Sequence, residues 1–160
     1  MAIRNIRKEG DDILRKKSKP VEKFDQKLWE LLDDMAETMA KANGVGLAAV
    51  QVGILRRVFI IDVGEGVVEF INPQILSSCG SQTGEEGCLS SPGEYGIVTR
   101  PNKVTIRAQD RHGKWFEETG EELYARAMCH ENDHLDGVIF KDHAERMLTE
   151  EELEEMYGDE

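Results

Sequence analysis

The stretch from Leu123 to Gly137, which reads Leu-Tyr-Ala-Arg-Ala-Met-Cys-His-Glu-Asn-Asp-His-Leu-Asp-Gly, restricts the fold more than any other part of the chain. Ala and Leu favour a helix, Glu121 and Glu122 suit its positive N-terminal end, and Gly137 is placed to stop it. Residues four apart on a helix lie one above the other, so His130 and His134 can aim imidazole nitrogens at a single point. That point suits a metal ion. Glu131 then projects beside the open position of the ion, where a carboxylate can take a proton from water, which is the chemistry of hydrolysis. Two histidines and a glutamate on a polar helix face also occur without any metal, so this helix alone leaves both readings open.

The rest of the chain must fold around that helix. At 160 residues it fits one domain, 1–160, with a single core that needs no disulfides. Hydrophobic residues make up 39% and charged ones 32%, a soluble globular balance. The net charge of -12 repels phosphate backbones and anionic lipids, so direct nucleic-acid binding is not expected. No apolar run reaches membrane-spanning length, and the N-terminus lacks the apolar stretch of a secretory signal. A cytoplasmic protein without a membrane partner is the expectation. The three cysteines, Cys79, Cys88 and Cys129, are an odd count that fits free thiols in a reducing compartment.

Leu28, Leu31, Leu32, Met35 and Met39 recur at helical spacing between Asp25 and Asn43, which predicts an amphipathic helix ended by Asn43-Gly44. Residues 1–24 show little periodicity and are expected to wrap the surface, with a short helical turn near Asp11 to Lys16. Runs rich in β-branched and aromatic residues predict strands at Arg57–Val63, Val67–Ile75, Lys103–Asp110 and Lys114–Glu118, the last two joined as a hairpin. Strands between two helices without regular alternation predict an α+β fold, with mixed or antiparallel sheets packed around the central motif-bearing helix. Thr149 with Glu152 starts a short acidic helix over 149–160 that carries no Lys or Arg.

Two further motifs bear on the site. Glu85-Glu86-Gly87-Cys88-Leu89-Ser90-Ser91-Pro92-Gly93 is dense in turn formers and puts Cys88 where a loop meets a strand. A thiolate there would complete three protein ligands and keep a fourth position for water; the alternative is a small buried thiol. A closed structural site would need a fourth ligand from Cys79, Cys129, His112 or His143, and Cys129 lies about 100° around the helix from His130. Gly44-Val45-Gly46-Leu47-Ala48-Ala49-Val50-Gln51 has the spacing of a dinucleotide fingerprint, but it follows a helix and precedes a strand-like run, which is the wrong context. Its glycines instead let the backbone of an extended peptide approach closely. Gln51 is either an exposed strand residue or a buried amide able to donate to an oxyanion near the metal.

Together, Gly44-Val45-Gly46-Leu47-Ala48-Ala49-Val50-Gln51, Glu86-Gly87-Cys88-Leu89-Ser90 and His130-Glu131-Asn132-Asp133-His134 resemble the three motifs of peptide deformylases, in the order of that family. The resemblance implies removal of the formyl group from N-formylmethionine at the start of newly made polypeptides, with release of formate. It implies one divalent ion per chain, natively Fe(II), with Zn(II) or Ni(II) as substitutes, held by Cys88, His130 and His134. Glu131 would serve as general base and then acid, and the Gln51 side chain and Leu89 N–H would hold the oxyanion. Backbone groups of Gly44, Val45, Gly46 and Gly87 would hold the substrate, and Leu123, Ala127 and the stem of Arg126 would line its methionine pocket. Cys129 stands where the family often has Gln, and the acidic tail differs from the basic ribosome-docking helix of some bacterial members, so any ribosome proximity would be transient and by another route. An endopeptidase taking its third ligand downstream, from His143 or Glu145, and a non-catalytic domain braced by its metal are the competing readings.

Overall fold

The computed structural model describes residues 2–158. Among the described residues, three α-helices, α1 (Gln26–Lys41), α2 (Leu123–Leu135) and α3 (Glu150–Gly158), accompany eight strands. The strands are β1 (Gly46–Ala48), β2 (Val58–Ile61), β3 (Val68–Cys79), β4 (Gln82–Cys88), β5 (Ser91–Arg100), β6 (Lys103–Gln109), β7 (Trp115–Glu121) and β8 (Arg146–Met147). They form two antiparallel sheets, one ordered β1-β2-β3-β6-β7 and the other β4-β5-β8. This is the expected α+β class, with α2 at its centre.

The packing follows from the two periodicities. In β2, Val58 and Ile60 turn toward the Leu28, Leu31, Leu32, Met35 and Met39 stripe of α1, while Phe59 and Ile61 turn toward Ala125, Met128 and Leu135 of α2. The larger sheet is thus covered on both faces, and every residue of β2 is buried. Each such side chain removed from water contributes about 1.5–3 kcal/mol against the entropy of ordering it. Asp25 caps α1 by accepting from the Leu28 N–H, and Gly137, at φ +76°, ends the turn after α2. A Cβ at Gly137 would lie 2.5 Å from the Arg15 carbonyl oxygen, so close approach as well as conformation demands glycine there.

Several expectations need correction. The N-terminal region does wrap the surface and makes its short turn as a 3₁₀ helix at Asp12–Arg15, but it also sends Leu14 and Val21 into the core. The strand expected to stop at Ile75 runs on to Cys79, and the strand expected to stop at Glu118 runs on to Glu121, because β3, β6 and β7 pair along their lengths. Glu121 therefore belongs to a strand, and Glu122 enters α2 at φ 53° with no side-chain cap. Strands β1, β4, β5 and β8 were not among those expected. In the tail, α3 follows Thr149, whose hydroxyl accepts from the Glu152 N–H. Asp159 and Glu160 of the expected acidic helix lie outside the described residues.

Candidate metal centre

His130 and His134 emerge from the buried face of α2, and Cys88 ends β4 where the chain turns into β5. Their ligating atoms, the Cys88 Sγ and one nitrogen from each ring, all lie within 4.8 Å of one another. The two Nε2 atoms are 3.3 Å apart, and the Cys88 Sγ is 3.3 Å from the His134 Nε2. Tetrahedral ligation at ordinary zinc-type bond lengths sets edges of about 3.3 Å between two nitrogens and about 3.6 Å between nitrogen and sulfur. The His130–His134 distance equals the first edge, and the Cys88–His134 distance is within about 0.3 Å of the second.

The surroundings call for positive charge at that point. His134 is held well below the usual imidazole range, first by burial and then by the charge of His130, so it presents a lone pair. Burial works against a charged His130 too, yet Glu131, Cys88 and Glu86 together push its pKa well above the usual value. A cation among the three donors supplies the charge those groups favour. His130 is also oriented from behind, with its Nδ1 2.7 Å from the Glu86 carboxylate, which leaves Nε2 for the cluster.

Glu86 is the residue that sequence reasoning missed. It is buried at 5% exposure and accepts from Arg100 at 2.7 Å and Arg126 at 2.9 Å as well as meeting His130, while Arg100 also reaches Asp133 at 2.7 Å. Burial opposes ionisation of Glu86, but the hydrogen bonds and charges of His130 and Arg100 hold its carboxyl well below the ordinary range. One signal was available: an imidazole ligand needs a partner on its other nitrogen, and Glu86 stands two residues before Cys88. Arg100 carries no comparable signal.

Glu131 is buried beside the cluster, with Oε2 3.9 Å from the His130 Nε2 and Oε1 without any hydrogen-bond partner in the protein. Burial pushes its carboxyl up to about 7 against the pull of His130, in the range suited to proton transfer near neutral pH. Both groups face a cavity of about 360 Å³, walled by Gly44–Gly46, Gly87–Leu89 and the α2 residues Leu123, Arg126 and Ala127. Leu123 is exposed at its mouth, and Arg126 lays its stem along the wall while its guanidinium is held by Glu86 and the Val98 carbonyl.

The glycines here make room for named atoms. A Cβ on Gly44 would meet Leu89, one on Gly87 would meet the Tyr95 ring, and one on Gly46 would strike Glu131. Gln51 is not a strand residue but lies buried in a 3₁₀ turn, Ala49–Val52, that follows β1. Its Oε1 accepts from the Ala48 N–H at 2.9 Å, and its Nε2 lies 3.1 Å from the Ser90 Oγ and 3.5 Å from the Cys88 Sγ.

None of the other candidate ligands reaches the cluster. Cys79 is exposed at the end of β3, and His112 sits at the tip of the β6–β7 hairpin. Cys129 packs into the core, where burial raises its thiol to about 11. His143 lies against Asp133 at 3.4 Å, and Glu145 accepts from the Thr99 hydroxyl. Among the described residues, the donor set therefore has three protein ligands.

The chain matches the family model described as polypeptide deformylase over residues 3–150. It is 57% identical over 155 residues to a peptide deformylase of Caldicellulosiruptor bescii, covering 97% of this chain and 93% of that one. It is 58% identical over 154 residues to one of Caldanaerobacter subterraneus, covering 96% and 97%. Among solved structures, the peptide deformylase of Thermotoga maritima superposes with a TM-score of 0.87 at 44% identity, covering 89% of this chain and 97% of that one. A peptide deformylase from Legionella pneumophila gives 0.86 at 43% identity, covering 98% and 96%. With three motifs meeting around one cavity and relatives matched along nearly their whole length, this chain belongs to the polypeptide deformylase family.

Proposed function

We propose that the chain hydrolyses the formyl group from the N-terminal formylmethionine of new polypeptides, with Cys88, His130 and His134 holding one divalent ion and Glu131 handling the proton. The observation that carries this reading is the unpartnered Glu131 oxygen beside three converging donors, two of which, Cys88 and His130, line the same cavity as Glu131. When bound, the ion polarises the formyl carbonyl and lowers the pKa of water. Glu131 accepts a proton from the attacking water and returns it to the departing nitrogen, and the second water proton also ends on the amine, so the formyl amide and water become formate and an ammonium group. The Gln51 amide and the Leu89 N–H stabilise the oxyanion.

The substrate side follows from the sheets. Both end on strands, β1 and β4, that have no further neighbour among the described residues, and both line the cavity. An extended peptide laid between them satisfies backbone groups of Gly44, Val45, Gly46 and Gly87, and places its methionine against Leu123, Ala127 and the stem of Arg126. A mixed thiolate and imidazole set suits Fe(II) as the native ion, with Zn(II) or Ni(II) as substitutes. Residues 1–160 act as one catalytic domain in this reading, working in the cytoplasm with at most transient proximity to the ribosome and no nucleic-acid partner. No described helix is long and apolar enough to cross a membrane. The His143 and Glu145 contacts away from the cluster disfavour the endopeptidase alternative.

Replacing Glu131 tests the reading directly. Glu131→Gln retains all three ligands, so metal content should stay at one ion per chain while formate release from a formyl-Met peptide falls by about 10²–10⁴-fold. Wild-type turnover in that variant would refute the mechanism.

A further inference from the structure

Ser90, two residues beyond Cys88, has its hydroxyl inside the protein, at 2% exposure, with no part in the chemistry described so far. Its Oγ lies 3.1 Å from the Gln51 Nε2. The orientation of that amide is fixed by the protein itself: the Ala48 N–H can only donate, so the amide atom 2.9 Å from it must be oxygen, and the opposite end must be the NH₂. The NH₂ has two hydrogens. The acceptors within reach are the Ser90 Oγ and, at 3.5 Å, the Cys88 Sγ.

The main chains at both ends of this contact are pinned from behind. The Arg7 N–H donates to the Gln51 carbonyl at 2.6 Å, and the Glu9 N–H donates to the Ser90 carbonyl at 2.8 Å, so alternate residues of the N-terminal segment hold both backbones. The remaining soft coordinate is the terminal torsion of the Gln51 side chain, which the Ala48 N–H holds at its oxygen end and the Ser90 hydroxyl at its nitrogen end.

We propose that Ser90 is a positioning residue: its hydroxyl takes one hydrogen of the Gln51 amide and thereby aims the other at the sulfur side of the donor cluster, where the oxyanion is held. This rests on the reading of Gln51 under the proposed function, and its tests separate the two. In kinetics on a formyl-Met peptide, Ser90→Ala should lower kcat about tenfold with KM within twofold. In a Gln51→Ala background the same change should cost less than twofold, because the group through which Ser90 acts is gone. Equal losses in both backgrounds would make Ser90 merely structural and overturn the proposal.

A second readout does not depend on turnover. With Co(II) loaded in place of the native ion, the thiolate-to-cobalt absorption reports the Gln51 N–H that faces the Cys88 sulfur. Ser90→Ala should shift that band in the parent and leave it unmoved in Gln51→Ala; no shift in either would also overturn the proposal. Should Ser90→Ala fail to fold, Ser90→Cys keeps the shape with a weaker acceptor and should give a smaller change in the same direction, an unchanged kcat and band counting against the inference. A parent protein that binds Co(II) but releases no formate would sink the proposed function, while the cobalt comparison would still decide the role of Ser90.

Discussion

Gly46→Ala is the smallest change that should separate fold from chemistry. Gly46 has no left-handed backbone angle, so alanine suits its conformation and fits an ordinary strand. A Cβ there would nevertheless sit 2.5 Å from the Glu131 Oε2 and 2.9 Å from the carbon behind it. Normal contact begins near 3.4 Å, so the carboxylate must retreat by the difference, about 0.9 Å. The colliding atoms all belong to the Glu131 side chain, its Cγ among them at 2.9 Å, so the side chain beyond Cβ must swing while the backbone of α2 can stay. Pushing that side chain off its rotamer costs about 0.5–1.5 kcal/mol, and each kcal/mol lowers the Tm of a chain this size by about 2–4 °C.

Catalysis is far less tolerant. A displacement of about 1 Å in a reacting group costs about 10²-fold in rate, or about 2.7 kcal/mol in the barrier. We therefore expect Gly46→Ala to fold, to retain one ion per chain and to release formate from a formyl-Met peptide about a hundredfold more slowly, with the loss in kcat. Gly84→Ala is the control, since its Cβ would meet only an Arg126 nitrogen at an ordinary 3.6 Å. A Gly46→Ala enzyme with wild-type kcat, or with the whole loss in KM, would refute the argument that this glycine keeps space for the proton carrier.

Two further outcomes follow from the donor cluster and its support. Cys88→Ala should lose stoichiometric metal at neutral pH, because two imidazoles alone form a much weaker open site; full metal content after gel filtration would point to another third ligand. Glu86→Gln should weaken metal binding by about 10–100-fold and change the acid stability. Since the folded-state pKa of Glu86 lies below its ordinary value of 4.5, its stabilisation is complete above that pH and is lost as pH falls toward the folded-state value. The wild type should therefore lose denaturation free energy more steeply than Glu86→Gln below about pH 4.5, and parallel curves would remove Glu86 from the account.

The parts of the fold that were legible in the sequence are those where burial and periodicity coincide. The α1 stripe and the helical spacing of His130 and His134 each repeat a physical period, the β2 region is a run of β-branched and aromatic residues, and each forms as expected. Strands β4 and β5 escaped notice because their inward positions hold Glu86, Gly96 and Arg100 along with Val98. A carboxylate satisfied by two guanidinium groups and an imidazole occupies the place where an apolar residue would have marked the strand. Gln51 was ambiguous for a related reason: a single polar residue in an apolar run carries no period, and its burial depends on Ala48 and Ser90 being there to satisfy it.

That loss of pattern is informative about how the site is built. Cys88 comes from the smaller sheet and both histidines from a helix packed on the larger one, so the donor set exists only when the β4–β5 hairpin is docked on α2. Beside the site this contact is ionic: Glu86 of β4 meets Arg126 and His130, and Arg100 of β5 meets Asp133. Apolar groups of similar size would hold the two surfaces together as well or better, since buried ion pairs are weak contributors to stability. They would not turn the His130 ring or fix which of its nitrogens carries the proton. The Glu86 cluster does both while docking the strand that presents Cys88, and this explains why charge stands where periodicity would ask for hydrocarbon.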